Sequence, residues 1–158
     1  MRILGIDPGL SGTGWAVLDD GGNLVLSGVL NFTSGKEEWQ ERAIKYGKVV
    51  GEICKVAMVD LVGIEYPAFF NSAGGTMVAK KGDLLKLTFL VGIIYSYVRR
   101  HQGIKVLLVP VNEWKGQLPK EIVMMRIIRK LGKKQTKKLK SHDWDAAGIA
   151  LHLSGVKI

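Results

Sequence analysis

Residues 1–15, MRILGIDPGLSGTGW, decide how the chain is read. Ile3, Leu4 and Ile6 make a short apolar run with the character of a buried strand, broken at once by Asp7-Pro8-Gly9. Gly12-Thr13-Gly14 then leads into a second apolar run, Trp15 to Leu18, which predicts a hairpin with Asp7 at the base of a Gly-rich loop. A carboxylate at the end of a buried strand is costly unless a cation or hydrogen-bond donors offset its charge. Such a group can hold a divalent metal for phosphodiester cleavage, hold metal and phosphates of a nucleotide, or simply cap the turn. The rest of the chain must choose among these.

Outward from that hairpin, residues 23 to 32 (NLVLSGVLNF) follow an Asp-Asp-Gly-Gly turn and predict a third strand, completing a meander. Trp39, Ala43, Tyr46, Val50, Ile53 and Ala57 recur every three or four positions, the period of an amphipathic helix. Residues 60 to 65 predict a fourth strand ending in Glu65 and stopped by Pro67. Residues 68 to 82 read as a loop rich in small residues, followed by a helix from Leu84 to Arg100 that is apolar around most of its circumference. Ile104 to Val109 predicts a fifth strand and Pro119 the start of a helix to about Leu131. Gly132 to Lys140 is expected to be a basic loop, and Ser141 to cap a last helix that runs to about Leu153. This order predicts an α/β fold: a five-stranded mixed sheet, three antiparallel meander strands plus two parallel ones, with helices on both faces.

Composition narrows the class. The 158 residues suit one domain (1–158), and 47% hydrophobic content with four prolines suits a compact globule. The single cysteine, Cys54, excludes an internal disulfide and sits on the apolar stripe of the first helix, so it is expected in the core of a protein from a reducing compartment. No hydrophobic leader follows Arg2, and the most apolar stretch carries Lys86; a cytoplasmic protein with no membrane contact is expected. The net charge is +9, but residues 99 to 140 hold thirteen Lys/Arg against two acids, a surplus of eleven that leaves −2 for the remainder. Concentrated basic charge of this kind suits a polyanion.

The acids form a second pattern. Asp7 ends the first strand and Glu65 the fourth, so neighbouring strands would bring both to one end of the sheet. In SHDWDAAGIALH, His142 and Asp145 lie three apart on one helix face, whereas Asp143 is rotated about 100° and suits the helix start, with a ligand role as the alternative. Three carboxylates and an imidazole suit Mg²⁺ or Mn²⁺ better than structural zinc.

GIDPGLSGTGWAV, GIEYP, VPVNEWKG and HDWDAAGIALH together resemble the RuvC family of Holliday junction resolvases, over nearly the whole chain. The resemblance implies a ribonuclease H-like fold and a homodimer that makes paired nicks in four-way junction DNA, leaving 5′-phosphate and 3′-hydroxyl ends. It implies two Mg²⁺ per active site, with Mn²⁺ as substitute, held by Asp7, Glu65, His142 and Asp145. Many members have aspartate at the position of His142, so a role for His142 in acid–base chemistry stays open. The short chain is also similar to phage-type members, which implies the cytoplasm of a bacterial or phage-infected bacterial cell. Lys115 and Lys120 fall where the family places basic residues near the scissile phosphate; ordinary backbone contacts are the alternative. Lys80, Lys81, Lys133, Lys134, Lys137, Lys138 and Lys140 would position the DNA backbone. The family uses an aromatic residue just after the position of Glu65 to wedge base pairs apart; Phe69 and Phe70 are the candidates, Phe69 first. The helix from Leu84 to Val98 with residues 68–82 is the expected dimer interface. No branch-migration partner is identifiable. Competing readings are a related nuclease acting on other branched DNA or on RNA, a junction-binding protein without catalysis, and a fragment of an actin-like phosphotransferase. Dependence on Mg²⁺ separates nuclease from binder, and the phosphotransferase needs a second domain and leaves the basic half unused.

Overall fold

A computed structural model of the chain describes residues 1–32, 37–66 and 82–156. Strands β1 (Ile3–Asp7), β2 (Thr13–Leu18) and β3 (Leu24–Leu30) form the meander, followed by α1 (Trp39–Val56), β4 (Leu61–Tyr66) and α2 (Asp83–His101). Then come β5 (Lys105–Pro110), a single turn α3 (Val111–Trp114), α4 (Lys120–Leu131), another single turn α5 (Lys133–Thr136), and α6 (Ser141–Leu153). The sheet order is β3-β2-β1-β4-β5, with β1, β2 and β3 antiparallel and β1, β4 and β5 parallel. The two carboxylate-bearing strands are therefore neighbours at its centre.

Strand periodicity decides which side chains meet which helices. Leu4, Ile6, Val17, Val62 and Ile64 point to one face and join Tyr46, Val50, Cys54, Leu90, Ile94 and Val98 from α1 and α2. Ile3, Ala16, Leu18 and Val109 point to the other, against Val123, Ile127, Ala146, Ile149 and Ala150 from α4 and α6. Each fully buried Leu, Ile or Val contributes roughly 1.5–3 kcal/mol, so both layers are needed to hold the sheet. Cys54 is buried as expected, and burial pushes its thiol up to about 12, far from reactive.

Alternation puts Asp7 and Glu65 on the α6 face. Gly5 lies opposite Gly63 in the β1–β4 register, on that same face. A Cβ on Gly5 would stand 2.0 Å from the carbonyl oxygen of Ala146, and one on Gly63 would stand 2.3 Å from Leu153. The paired glycines thus form a trough in which α6 lies against the sheet.

Two expectations fail locally. The basic stretch 132–140 is not simply a loop, because residues 133–136 close a helical turn in which the Thr136 hydroxyl donates to the Gly132 carbonyl. Burial of Thr136 and Leu139 anchors that stretch while its lysines stay exposed. Ser141 is not the cap of the last helix; it is its first residue. Lys140 takes the capping position, and its N–H donates to the Asp143 carboxylate.

Candidate active site

Four side chains from three elements face one another at the C-terminal end of β1 and β4. Asp7 is 8% exposed. The start of α6 reaches it because β2 offers no side chain at Gly14: a Cβ there would lie 2.2 Å from the His142 carbonyl oxygen. Seated this closely, His142 places Nδ1 2.9 Å from Asp7 Oδ2. Three residues on, Asp145 Oδ2 lies 3.2 Å from the Lys115 ammonium, which is also 3.6 Å from Glu65 Oε2. The indole N–H of Trp114 donates to the same Glu65 oxygen at 2.9 Å. Trp114 is held by α6, where a Cβ on Gly148 would stand 2.4 Å from its ring, and Lys115 Nζ lies 4.5 Å from the ring centroid.

The electrostatics are those of acids crowded in a place poor in water. Burial is the main reason that Asp7 is held above the usual carboxylate range, and the charge of Asp145 adds to it; the His142 hydrogen bond and Lys115 oppose. Glu65 is pushed up to about 7, again chiefly by burial, with Asp7 and Asp145 contributing against Lys115 and Trp114. Glu65 thus senses both other acids and Asp7 senses Asp145, and the group favours any cation that enters. Three hard oxygen donors and an imidazole fit Mg²⁺ or Mn²⁺ in chemistry. Among the described residues, no three His, Cys, Asp or Glu side chains are arranged as placed to hold one ion. The cation between Glu65 and Asp145 is Lys115 itself.

Asp143, expected at the helix start with a ligand role as the alternative, takes the first of these: it is 2% exposed and accepts the Lys140 N–H. Burial raises its pKa too. Lys120 opens α4 as an exposed residue and makes no hydrogen bond or ion pair with the acids among the described residues. Lys133, Lys134, Lys137, Lys138 and Lys140 are exposed. Lys140 and His142 line, with Ser11, Gly12 and Asn31, a hollow of about 280 Å³ beside the carboxylates. Phe69, Phe70, Lys80 and Lys81 lie outside the described residues, as do residues 68–81 of the segment expected at the dimer interface. Sequence reasoning assigned no role to Trp114, although its place next to Lys115 in VNEWKG was a usable signal.

No family model matches the chain. It is 32% identical to the crossover junction endodeoxyribonuclease RuvC of Sulfurovum sp. (strain NBC37-1) over a 163-position alignment that covers all of this chain and 98% of that protein. The chain belongs to the RuvC family. The structure of RuvC from Thermus thermophilus superposes with a TM-score of 0.74 at 25% identity, covering 96% of this chain and 92% of that one. T. thermophilus RuvC in complex with a Holliday junction substrate gives the same TM-score at 23% identity, over 96% of this chain and 90% of that one. The sheet order and helix placement are those of the ribonuclease H-like fold that RuvC proteins share.

Proposed function

We propose that the chain is a Holliday junction resolvase: a structure-selective endonuclease that cuts four-way junction DNA by paired nicks, leaving 5′-phosphate and 3′-hydroxyl ends. The observation that carries this reading is the meeting of Asp7, Glu65, His142 and Asp145 at one end of the central strands, within a chain of the RuvC family. The four are the ligands proposed for two Mg²⁺ ions, for which Mn²⁺ substitutes. Bound there, the ions would activate a water and neutralise the leaving oxygen of the phosphodiester.

The chain's own residues do the rest. His142 Nδ1 holds Asp7 in a fixed direction, and the Trp114 indole does the same for Glu65. The Lys115 ammonium supplies positive charge at the mouth of the site, suited to a phosphate oxygen that gains charge in the transition state. The exposed lysines of residues 133–140 and Lys120 grip the DNA backbone and fix its register without reading bases.

A junction presents two symmetry-related strands, so paired nicking needs two sites related by a two-fold axis. The supporting feature is α2, where Leu85 is 76%, Phe89 42% and Tyr95 38% exposed. We place the homodimer contact on that face, within one nuclease domain spanning residues 1–158. No helix among the described residues is long and apolar enough to cross a membrane. The proposed setting is the cytoplasm of a bacterial or phage-infected cell.

The test is a panel of four-way junction, Y-fork, plain duplex and RNA substrates, each with and without Mg²⁺, with the nicks mapped. Symmetric nicks in the junction alone, only with Mg²⁺, are expected. Junction binding with no cleavage in any metal would make the chain a binder.

A further inference from the structure

The ammonium of Lys115 touches Asp145 at 3.2 Å and Glu65 at 3.6 Å, and all three side chains are only 17–23% exposed. Three features fix it there. Its backbone ends the single turn α3, its head lies over the Trp114 ring, and that ring is tied to Glu65 by the indole N–H. Without some cation, Glu65 and Asp145 would repel each other across a site that already contains Asp7. Lys115 is thus a counter-ion that lets these acids stand together. Yet the carboxylates it sits against, each through one oxygen, are those a divalent ion would need. Mg²⁺ binds carboxylate oxygen at about 2.0–2.1 Å, well inside the gap that the ammonium spans. Two cations at such range repel each other, which sets the ammonium and a divalent ion in competition for the pair.

We propose that Lys115 is a tethered counter-ion that must leave the Glu65–Asp145 pair before the pair takes a divalent cation. The displaced ammonium, on a flexible four-carbon stem rooted at the edge of the site, then turns to the phosphodiester. One positive charge serves two partners in turn, and metal entry couples them. The inference rests on the reading of these carboxylates as a metal site, and its test separates the two.

Mn²⁺ is titrated into full-length, DNA-free protein while the free ion is followed by electron paramagnetic resonance. Lys115→Met keeps the stem over Trp114 and removes the charge, so it should bind Mn²⁺ about tenfold more tightly than the wild type. Lys115→Arg keeps the charge in a fork that grips carboxylates better, so it should bind Mn²⁺ more weakly. Opposite shifts from the two variants cannot come from general loosening of the fold, and melting in EDTA shows that each is folded. Wild-type or weaker affinity in the Met variant overturns the gate. So does an Arg variant that binds more tightly than the wild type. Asp7→Asn and Asp145→Asn serve as controls: if both bind Mn²⁺ as the wild type does, or if no protein binds it, the metal-site reading itself falls. The second half has its own readout, the salt dependence of junction binding. In Ca²⁺ the wild-type slope should exceed that of the Met variant by about 0.9, one phosphate contact, and in EDTA the two should coincide. Equal slopes in Ca²⁺ would overturn the transfer to phosphate.

Discussion

Replacing Gly14 by alanine adds one methyl group at the point where α6 rests on β2. That carbon would stand 2.2 Å from the His142 carbonyl oxygen, 2.3 Å from its carbonyl carbon and 2.7 Å from its Cβ, whereas ordinary contact begins at 3.4 Å. The obstacle is backbone on both sides, so no side-chain rotation relieves it. The first turn of α6 must retreat by roughly 1 Å, enough to break the 2.9 Å contact between His142 and Asp7 and to draw Asp145 back. Overpacking of this kind costs about 1–3 kcal/mol, and each kcal/mol lowers Tm by about 2–4 °C in a chain of this size. A displacement of about 1 Å in a catalytic group costs roughly 100-fold in rate. The exposed lysines are untouched, so junction affinity in EDTA should hold. The assay is single-turnover cleavage of a synthetic junction under excess protein, paired with binding and thermal melting. Wild-type rate and unchanged Tm in Gly14→Ala would show that α6 does not sit on β2, and the site's geometry would be wrong.

The raised pKa of Glu65 gives a signed pH dependence. Folded, the group titrates at about 7; unfolded, it titrates near 4.5. The folded chain therefore holds the proton more tightly, and the associated stability is present below about pH 4.5 and lost as pH rises to 7. The span is about 3 kcal/mol. Urea unfolding in EDTA across that range should show the loss in the wild type and a flatter profile in Glu65→Gln; parallel profiles would contradict it. Trp114→Phe keeps the ring but removes the donor to Glu65, a bond to a charged group worth about 1.5–3 kcal/mol. Its single-turnover rate should fall roughly tenfold or more by the same energy, and a wild-type rate would dismiss the positioning role. Neutralising Lys134 and Lys138 together should lower the salt slope of junction binding by about 2, and an unchanged slope would remove that turn from the DNA surface.

Much of the site was legible because strand periodicity is a local property. Ile3, Leu4 and Ile6 alternate about Gly5, so Asp7 had to share a face with Gly5, and Glu65 stands in the same relation to Gly63. The spacing of His142 and Asp145 likewise follows from helix geometry. What sequence could not give was which group each side chain meets. His142 reaches Asp7 only because Gly14 removes an obstacle from a strand far away in sequence. Trp114 lies in a single turn too short for any periodicity, and its bond to Glu65 joins residues 49 apart. The turn at Lys133–Thr136 was hidden by its charge: composition reads five lysines as a solvated loop, while burial of Thr136 and Leu139 depends on the tertiary fold. Asp143 was legible as a helix-start residue from its position, but its acceptor role toward the Lys140 N–H shows only in the folded chain.

Acids from β1, β4 and α6 are proposed to act as one hydrolytic centre for branched DNA. Asp7→Asn tests it most directly, since it removes one carboxylate charge and leaves the basic surface intact. Cleavage and binding are measured on the same labelled four-way junction, with Mg²⁺ for the first and EDTA for the second. Full binding with no detectable nicking is expected; near-normal nicking by Asp7→Asn would refute the shared hydrolytic centre.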